Sequence, residues 1–274
     1  VETIPSAKMI AWDADKDGDP KTYLASGYRL TLASRTGVGR DRIPVLHVKA
    51  PGGEEYDVPG QPGFATPRAE FGIGKLDPET PGEQAIFTTY SGGAHCCTHI
   101  DMLEFAGGRW RTISLGEWDG DGLGDFPGDV DGDGVRDIVM RDDRFAYAFE
   151  AYAFSWKPPR IFEIRKGVLR EVSNAPRYAP LFEADMTQAL ARCLEHSNGA
   201  CAGYVADAAR LGRFDEAWRT MLGAYKRTND WDYPTKCNAP PVRGNCPQGH
   251  AQQFSDFPDA LKWFLADKGY IKEN

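Results

Sequence analysis

The stretch Asp129-Val130-Asp131-Gly132-Asp133-Gly134-Val135-Arg136-Asp137 runs without a break into Ile138-Val139-Met140. Carboxylates at the first, third and fifth positions of such a loop converge, because the chain curls about a central point. Gly134 at the sixth position permits the sharp turn. Val135 at the seventh can offer its backbone carbonyl, and Asp137 at the ninth ligates directly or through water. Carboxylates this closely spaced repel one another unless a cation sits among them. Every donor is a hard oxygen, which suits Ca²⁺, or a lanthanide in the same cage, over zinc or copper. An EF-hand would carry a bidentate Glu at the twelfth position and continue as a helix. Here that position is Met140, and the residues before it are β-branched. An ion-binding loop that delivers the chain into a strand predicts a β fold around it. The bland alternative for the loop is a solvated acidic turn.

Working outward, residues 1–178 read as a β-rich meander. Tyr28–Leu32 and Ile100–Phe105 alternate between apolar and polar residues. Ala85–Tyr90, Trp110–Leu115, Ile138–Met140, Phe145–Tyr152, Arg160–Ile164 and Val168–Val172 are further short strands, separated by Gly, Pro or Asp clusters. Ala106-Gly107-Gly108 and Arg165-Lys166-Gly167 predict hairpin turns, since Gly supplies the positive φ of a tight turn. Ile86–Leu115 and Ile138–Val172 then share a layout, which suggests an internal repeat.

After Pro180 the period becomes helical. Phe182, Met186, Leu190, Cys193 and Leu194 fall on one helical face. Further helices are predicted over 201–211, 214–225 and 257–268, the last with Asp256 before it and Gly269 after it. The fold class expected is α+β: a blade-like β part over 1–178 and a disulfide-stapled helical part over 179–274. Gly212-Arg213-Phe214-Asp215-Glu216-Ala217 gives the second and third helices a resemblance to one tetratricopeptide-type hairpin. A small helical bundle accounts for the same pattern.

Asp129–Met140 resembles the calcium loop of FG-GAP and VCBS-type β-repeats, which set an Asp-x-Asp-x-Asp-Gly-x-x-Asp loop before an apolar strand. The resemblance covers about a dozen residues and gives Asp129, Asp131, Asp133 and Asp137 the ligand positions. Ser91-Gly92-Gly93-Ala94-His95-Cys96-Cys97 upstream of the loop also resembles a group of uncharacterised exported bacterial proteins, which carries no activity with it.

Two more acidic clusters are candidates. Asp119, Asp121 and Asp125 could form a second metal site or lend ligands to the first; a Gly-rich connector is the competing reading. Asp13, Asp15 and Asp17 begin correctly, but Lys21 stands at the ninth position and repels a cation.

The six cysteines permit local pairing: Cys96 with Cys97, Cys193 with Cys201, and Cys237 with Cys246. The last two pairs bracket turn-like loops, as staples do in oxidising compartments. A vicinal bridge is the leading reading of Cys96-Cys97. A soft-metal or redox site with His95 and His99, and unpaired packing thiols, stay open.

Composition frames the rest. The chain is 41% hydrophobic with a net charge of -8, so it is globular and lacks the clustered cations that nucleic-acid binding needs. No apolar run reaches the ~20 residues of a membrane span. The chain opens on Val1 rather than Met, which fits either a removed leader or a start chosen for expression. No G-x-S-x-G, H-E-x-x-H or P-loop sequence is present. The expected function is a periplasmic or secreted calcium-binding module, non-enzymatic, whose partner is a protein or a cell-envelope glycan. The rival is a calcium-dependent hydrolase of glycan or ester substrates.

Overall fold

The structure, a computed structural model, describes residues 1–272 except 39–40, 64–65, 94–96, 121, 228–230 and 244. In chain order its first elements are β1 (Glu2–Thr3), β2 (Ile10–Asp13), α1 (Ala14–Asp17), β3 (Lys21–Ala25), β4 (Tyr28–Thr36), β5 (Arg42–Lys49), β6 (Glu55–Pro59) and β7 (Arg68–Gly74). They are followed by β8 (Gln84–Tyr90), β9 (Thr98–Ala106), β10 (Arg109–Trp118), β11 (Ile138–Arg141), β12 (Pro159–Arg165) and β13 (Val168–Glu171). The helical part holds α2 (Ala179–Leu194), α3 (Asn198–Arg210), α4 (Phe214–Ala224) and α5 (Phe257–Asp267), with the short strands β14 (Lys236–Cys237) and β15 (Ala251–Gln252).

Among the described residues the strands before α2 form three sheets, ordered β1-β3-β4-β5-β6, β10-β9-β8-β7-β2 and β11-β12-β13. Period-2 alternation builds the first. Leu30 and Leu32 of β4 and Leu46 and Val48 of β5 are fully buried, and they pack against Phe71, Ile73, Phe87 and Leu103 of the second sheet. The second sheet's other face carries Ile86, Ile100, Met102 and Ile113. These pack with Ile138, Met140, Phe162 and Ile164 of the third. Its central strands are therefore buried on both sides, and β8 reads as a near-continuous apolar and threonine run. Both expected hairpins close, with Arg109 opposite Ala106 and Arg165 opposite Val168.

Two compact units divide the chain: Val1–Met140 with Ile161–Val172, and Arg141–Arg160 with Ser173–Asn274. The single expected boundary at 178/179 is therefore replaced by a chain that leaves the β unit after Met140 and returns at Ile161. The physical reason lies in Phe145–Tyr152, which is not a strand. It begins in a 3-10 turn at Asp143–Phe145 and leads into another at Tyr152–Phe154. Phe145 and Phe149 are buried in the helical core, edge-on to Phe264 at 4.9 and 5.2 Å. The Glu150 carboxylate accepts from Ser197 Oγ at 2.6 Å and from the Gly199 N–H at 3.0 Å, fastening the segment to the start of α3. Trp156 lies so close to α3 that a Cβ built on Gly203 would run into its indole. Without a strand there, Ile138–Val172 does not repeat Ile86–Leu115.

The four predicted helices are present, and α2, α3, α4 and α5 share one apolar core. Asp256 caps α5 by accepting from the Asp259 N–H at 2.9 Å. The disulfides Cys193–Cys201 and Cys237–Cys246 are formed as expected, the first fully buried between α2 and α3. Cys97 is disulfide-bonded; Cys96, its expected partner, and His95 lie outside the described residues. Replacing Cys193 and Cys201 by Ser should cost about 2–3 kcal/mol, mostly the entropy of the opened short loop in the unfolded chain. Urea melts of this variant and the parent protein check that value, and equal midpoints would contradict it.

Candidate metal centre

The acidic loop sits between Phe126 and β11. Its ends are pinned by the Asp137 N–H donating to the Gly128 carbonyl at 2.6 Å. Inside the loop the carboxylates curl the backbone around themselves. Asp129 accepts from the N–H groups of Gly132 and Gly134 at 2.8 and 2.9 Å. Asp131 accepts from Asp133 at 3.0 Å, Asp133 from Val135 at 2.8 Å, and Asp137 from Val130 at 2.7 Å. Gly132 and Gly134 have φ of 80° and 86°, a left-handed conformation that glycine adopts without the Cβ penalty. Val135 tucks its side chain into the protein, which anchors the loop to the β unit.

Asp129, Asp131 and Asp137 each offer an oxygen within 4.8 Å of the others. Asp131, Asp133 and Glu163 form a second such group. Asp131 belongs to both. Glu163 comes from β12, far away in sequence, and is almost wholly buried. It supplies a carboxylate that the loop's own twelfth position, Met140, lacks. The sequence does carry a hint of it, because an acidic residue inside the apolar run Ile161-Phe162-Glu163-Ile164 has to be compensated.

Compensation comes from Arg165, which sequence reasoning also missed. Its Nε donates to Glu163 Oε2 at 3.0 Å, and its Nη2 reaches Asp133 Oδ2 at 3.2 Å. The hydrogen bond to Glu163 raises the Arg165 pKa further above its usual value, so the guanidinium stays charged. Arg136 is turned away from the carboxylates: it donates to the Pro127 carbonyl at 2.6 Å and lies over the Phe126 ring. The donor set is thus all hard oxygen and strongly anionic, with the Arg165 guanidinium against it. It fits a divalent or trivalent hard cation, provided that Arg165 yields Asp133 and Glu163.

The other acidic clusters are arranged differently. Asp13 caps α1 by accepting from the Asp15 N–H, and pairs with Arg68 Nε at 3.0 Å. Asp15 faces Arg42 at 3.7 Å, and Asp17 accepts from the Asp13 N–H at 2.8 Å. These carboxylates serve a helix cap and two arginines. Asp121 lies outside the described residues, and Asp119 and Asp125 join no carboxylate group of metal-site size among the described residues. His99 Nε2 lies 3.2 Å from Asp101 Oδ2.

A second acidic pair lies in the helical unit. Asp185 of α2 and Asp207 of α3 are both buried. Burial, and then the neighbouring Asp185 carboxyl, hold the Asp207 pKa well above the usual carboxylate range. Trp156 Nε1 donates to Asp185 at 2.8 Å, and Arg141 pairs with the same carboxylate.

No helix among the described residues is long and apolar enough to cross a membrane. The two closed disulfides belong to an oxidising compartment. No solved structure matches this one. Residues 181–269 match the family described as the sll0997 C-terminal domain. The chain is 34% identical over 216 residues to a protein of Synechocystis sp. described as "Probable thylakoid lumen protein sll0997", covering 75% of this chain and 62% of that protein. It is 30% identical over 277 residues to the uncharacterized protein y4bJ of Sinorhizobium fredii, covering 97% of this chain and 43% of that protein. The chain spans less than two thirds of the length of either relative. Its helical unit is therefore similar to the sll0997 C-terminal domain, and in the longer comparison the likeness extends over nearly the whole chain.

Proposed function

We propose that this chain is an exported, periplasmic or secreted calcium-binding module that acts in the cell envelope by binding a protein or a glycan. The observation that carries the reading is the meeting of two carboxylate groups at Asp131, one within the loop and one completed by Glu163 from another strand. In this reading Asp129, Asp131, Asp133, Asp137 and Glu163, with the Val135 carbonyl, would hold Ca²⁺ in the manner of an FG-GAP-type loop. The ion would offset part of the cluster's negative charge and tie the loop before β11 to β12. The oxidising compartment implied by the disulfides, and the lumenal description of one relative, support export.

Calorimetric titration of Ca²⁺ into chelator-stripped protein tests the proposal. Asp131→Asn should weaken binding about tenfold or more, because a ligand common to both groups is lost. Asp15→Asn should leave it unchanged. Arg165→Gln should tighten binding about fivefold or more, since it removes a partly exposed ion pair with Asp133 and a more buried one with Glu163 that compete with the ion. Absence of calcium binding in the stripped protein would overturn the reading. A hydrolase would need paired carboxyls of unmatched environment facing a cleft. Asp185 and Asp207 have unmatched environments, but both are buried, which favours a structural role for them.

A further inference from the structure

The helical unit carries an open cavity of about 1010 Å³, at the upper end of the ~300–1,000 Å³ range of ligand sites. Its apolar side is aromatic. Phe254 and Trp263 stack with ring centroids 5.3 Å apart and planes 26° apart, and both line the cavity with Phe214. Neither ring of the pair is fully buried. The polar side is made of amides, a hydroxyl, ammonium groups and the carboxylates of Asp215 and Asp259. Gln252, Gln253 and Ser255 line it beside β15. Lys236, Lys262 and Lys272 approach from β14, from α5 and from the segment after α5.

The charge here departs from that of the chain. The protein is acidic overall at -8, yet these three lysines meet only Asp215 and Asp259 among the lining residues. None of the three ammonium groups forms an ion pair among the described residues. They line the same cavity as Phe214, Phe254 and Trp263.

From this arrangement we infer that the cavity is a binding site for an oligosaccharide bearing carboxylate groups. Aromatic faces accept the apolar face of a sugar ring, amides and hydroxyls match its hydroxyl groups, and ammonium groups form charge-assisted hydrogen bonds with its carboxylates. An extended peptide is a poorer fit, because β15 is only two residues long and offers little edge for strand addition. A phosphate at the start of α5 is disfavoured as well, since the Asp256 carboxylate already occupies that helix end. The inference rests on the binding-module reading for its biological sense, but uses no residue of the calcium loop.

The test is calorimetric titration with tetragalacturonate, with cellotetraose as the neutral counterpart and tetraglutamate as the acidic peptide, all in EDTA so that calcium cannot bridge. Tetragalacturonate should bind, and both controls should bind about tenfold more weakly or not at all. Lys236→Ala with Lys262→Ala should bring its affinity down to that of cellotetraose. Trp263→Ala should weaken both sugars; if that variant misfolds by circular dichroism, the lysine pair still decides, and the exposed Lys262→Ala alone should weaken tetragalacturonate and not cellotetraose. No binding of tetragalacturonate at millimolar concentration, binding unaffected by these substitutions, or equal affinity for tetraglutamate would each overturn the inference. Because calcium is absent throughout, failure here is distinct from failure of the calcium titration.

Discussion

Saturating Ca²⁺ is expected to raise the unfolding temperature of the β unit by roughly 10 °C over the chelated protein. A ligand that binds only the folded state adds about 4 kcal/mol when its free concentration is a thousandfold above Kd. For a unit of this size each kcal/mol moves the midpoint by about 2–4 °C. The source of the gain is local repulsion. Asp129, Asp131, Asp133, Asp137 and Glu163 converge on one region, where the Arg165 guanidinium is set against Asp133 and Glu163. In the unfolded chain Glu163 is far from the loop and the repulsion is relieved. Asp131→Asn and Glu163→Gln should therefore each stabilise the calcium-free protein and shrink the calcium-induced shift. Glu163→Gln is the sharper test, because the loop alone does not predict it. Differential scanning calorimetry with calcium and with EDTA reads both quantities. A calcium shift that survives Glu163→Gln at full size would remove Glu163 from the site.

The second large effect concerns pH. Burial, and then Asp185, penalise the charge of Asp207 and raise its pKa in the folded state; Arg141 and Arg210 oppose this without prevailing. A carboxyl whose folded pKa is raised stabilises the fold fully below its unfolded value. That stability is lost as pH rises through the folded value. The helical unit should therefore weaken as pH rises from about 4, by up to about 1.4 kcal/mol per pH unit, until the folded value is passed. Asp207→Asn keeps the shape and has no proton to lose, so its contribution should be flat over that range. Near pH 4 the variant and the parent should be similar, and toward neutral and alkaline pH the variant should become the more stable. Urea melts across the series measure this. Parallel stability curves for the two proteins would show that Asp207 is not the group responsible.

What was legible in the sequence follows from the range of the signals. The helices α2 to α5 obey a local 3.6-residue period, and α3 and α5 carry side-chain caps at Ser197 and Asp256, so their extents could be read within a few residues. The hairpin turns at Gly107-Gly108 and Gly167, the staples Cys193–Cys201 and Cys237–Cys246, and the curled acidic loop are also written over short stretches. Strands were harder. β5 contains Pro44 and β7 contains two glycines, which weaken the usual strand pattern even though neighbouring strands fix both in sheets.

The sequence by itself determined the α+β class, the point where the β pattern gives way to helices, and the residues of the loop. Only the tertiary structure decided that Arg141–Arg160 packs with the helices. The chemistry of Phe145–Tyr152 suits a strand as well as an aromatic plug, and its packing partners Phe257 and Phe264 are more than a hundred residues away. Tertiary structure likewise brought Glu163 and Arg165 to the loop. Strand pairing places them beside Asp131 and Asp133, and no local spacing encodes a contact between residues some 30 positions apart. Periodicity reports which face of an element is buried, whereas the identity of the group across that face is set by the fold.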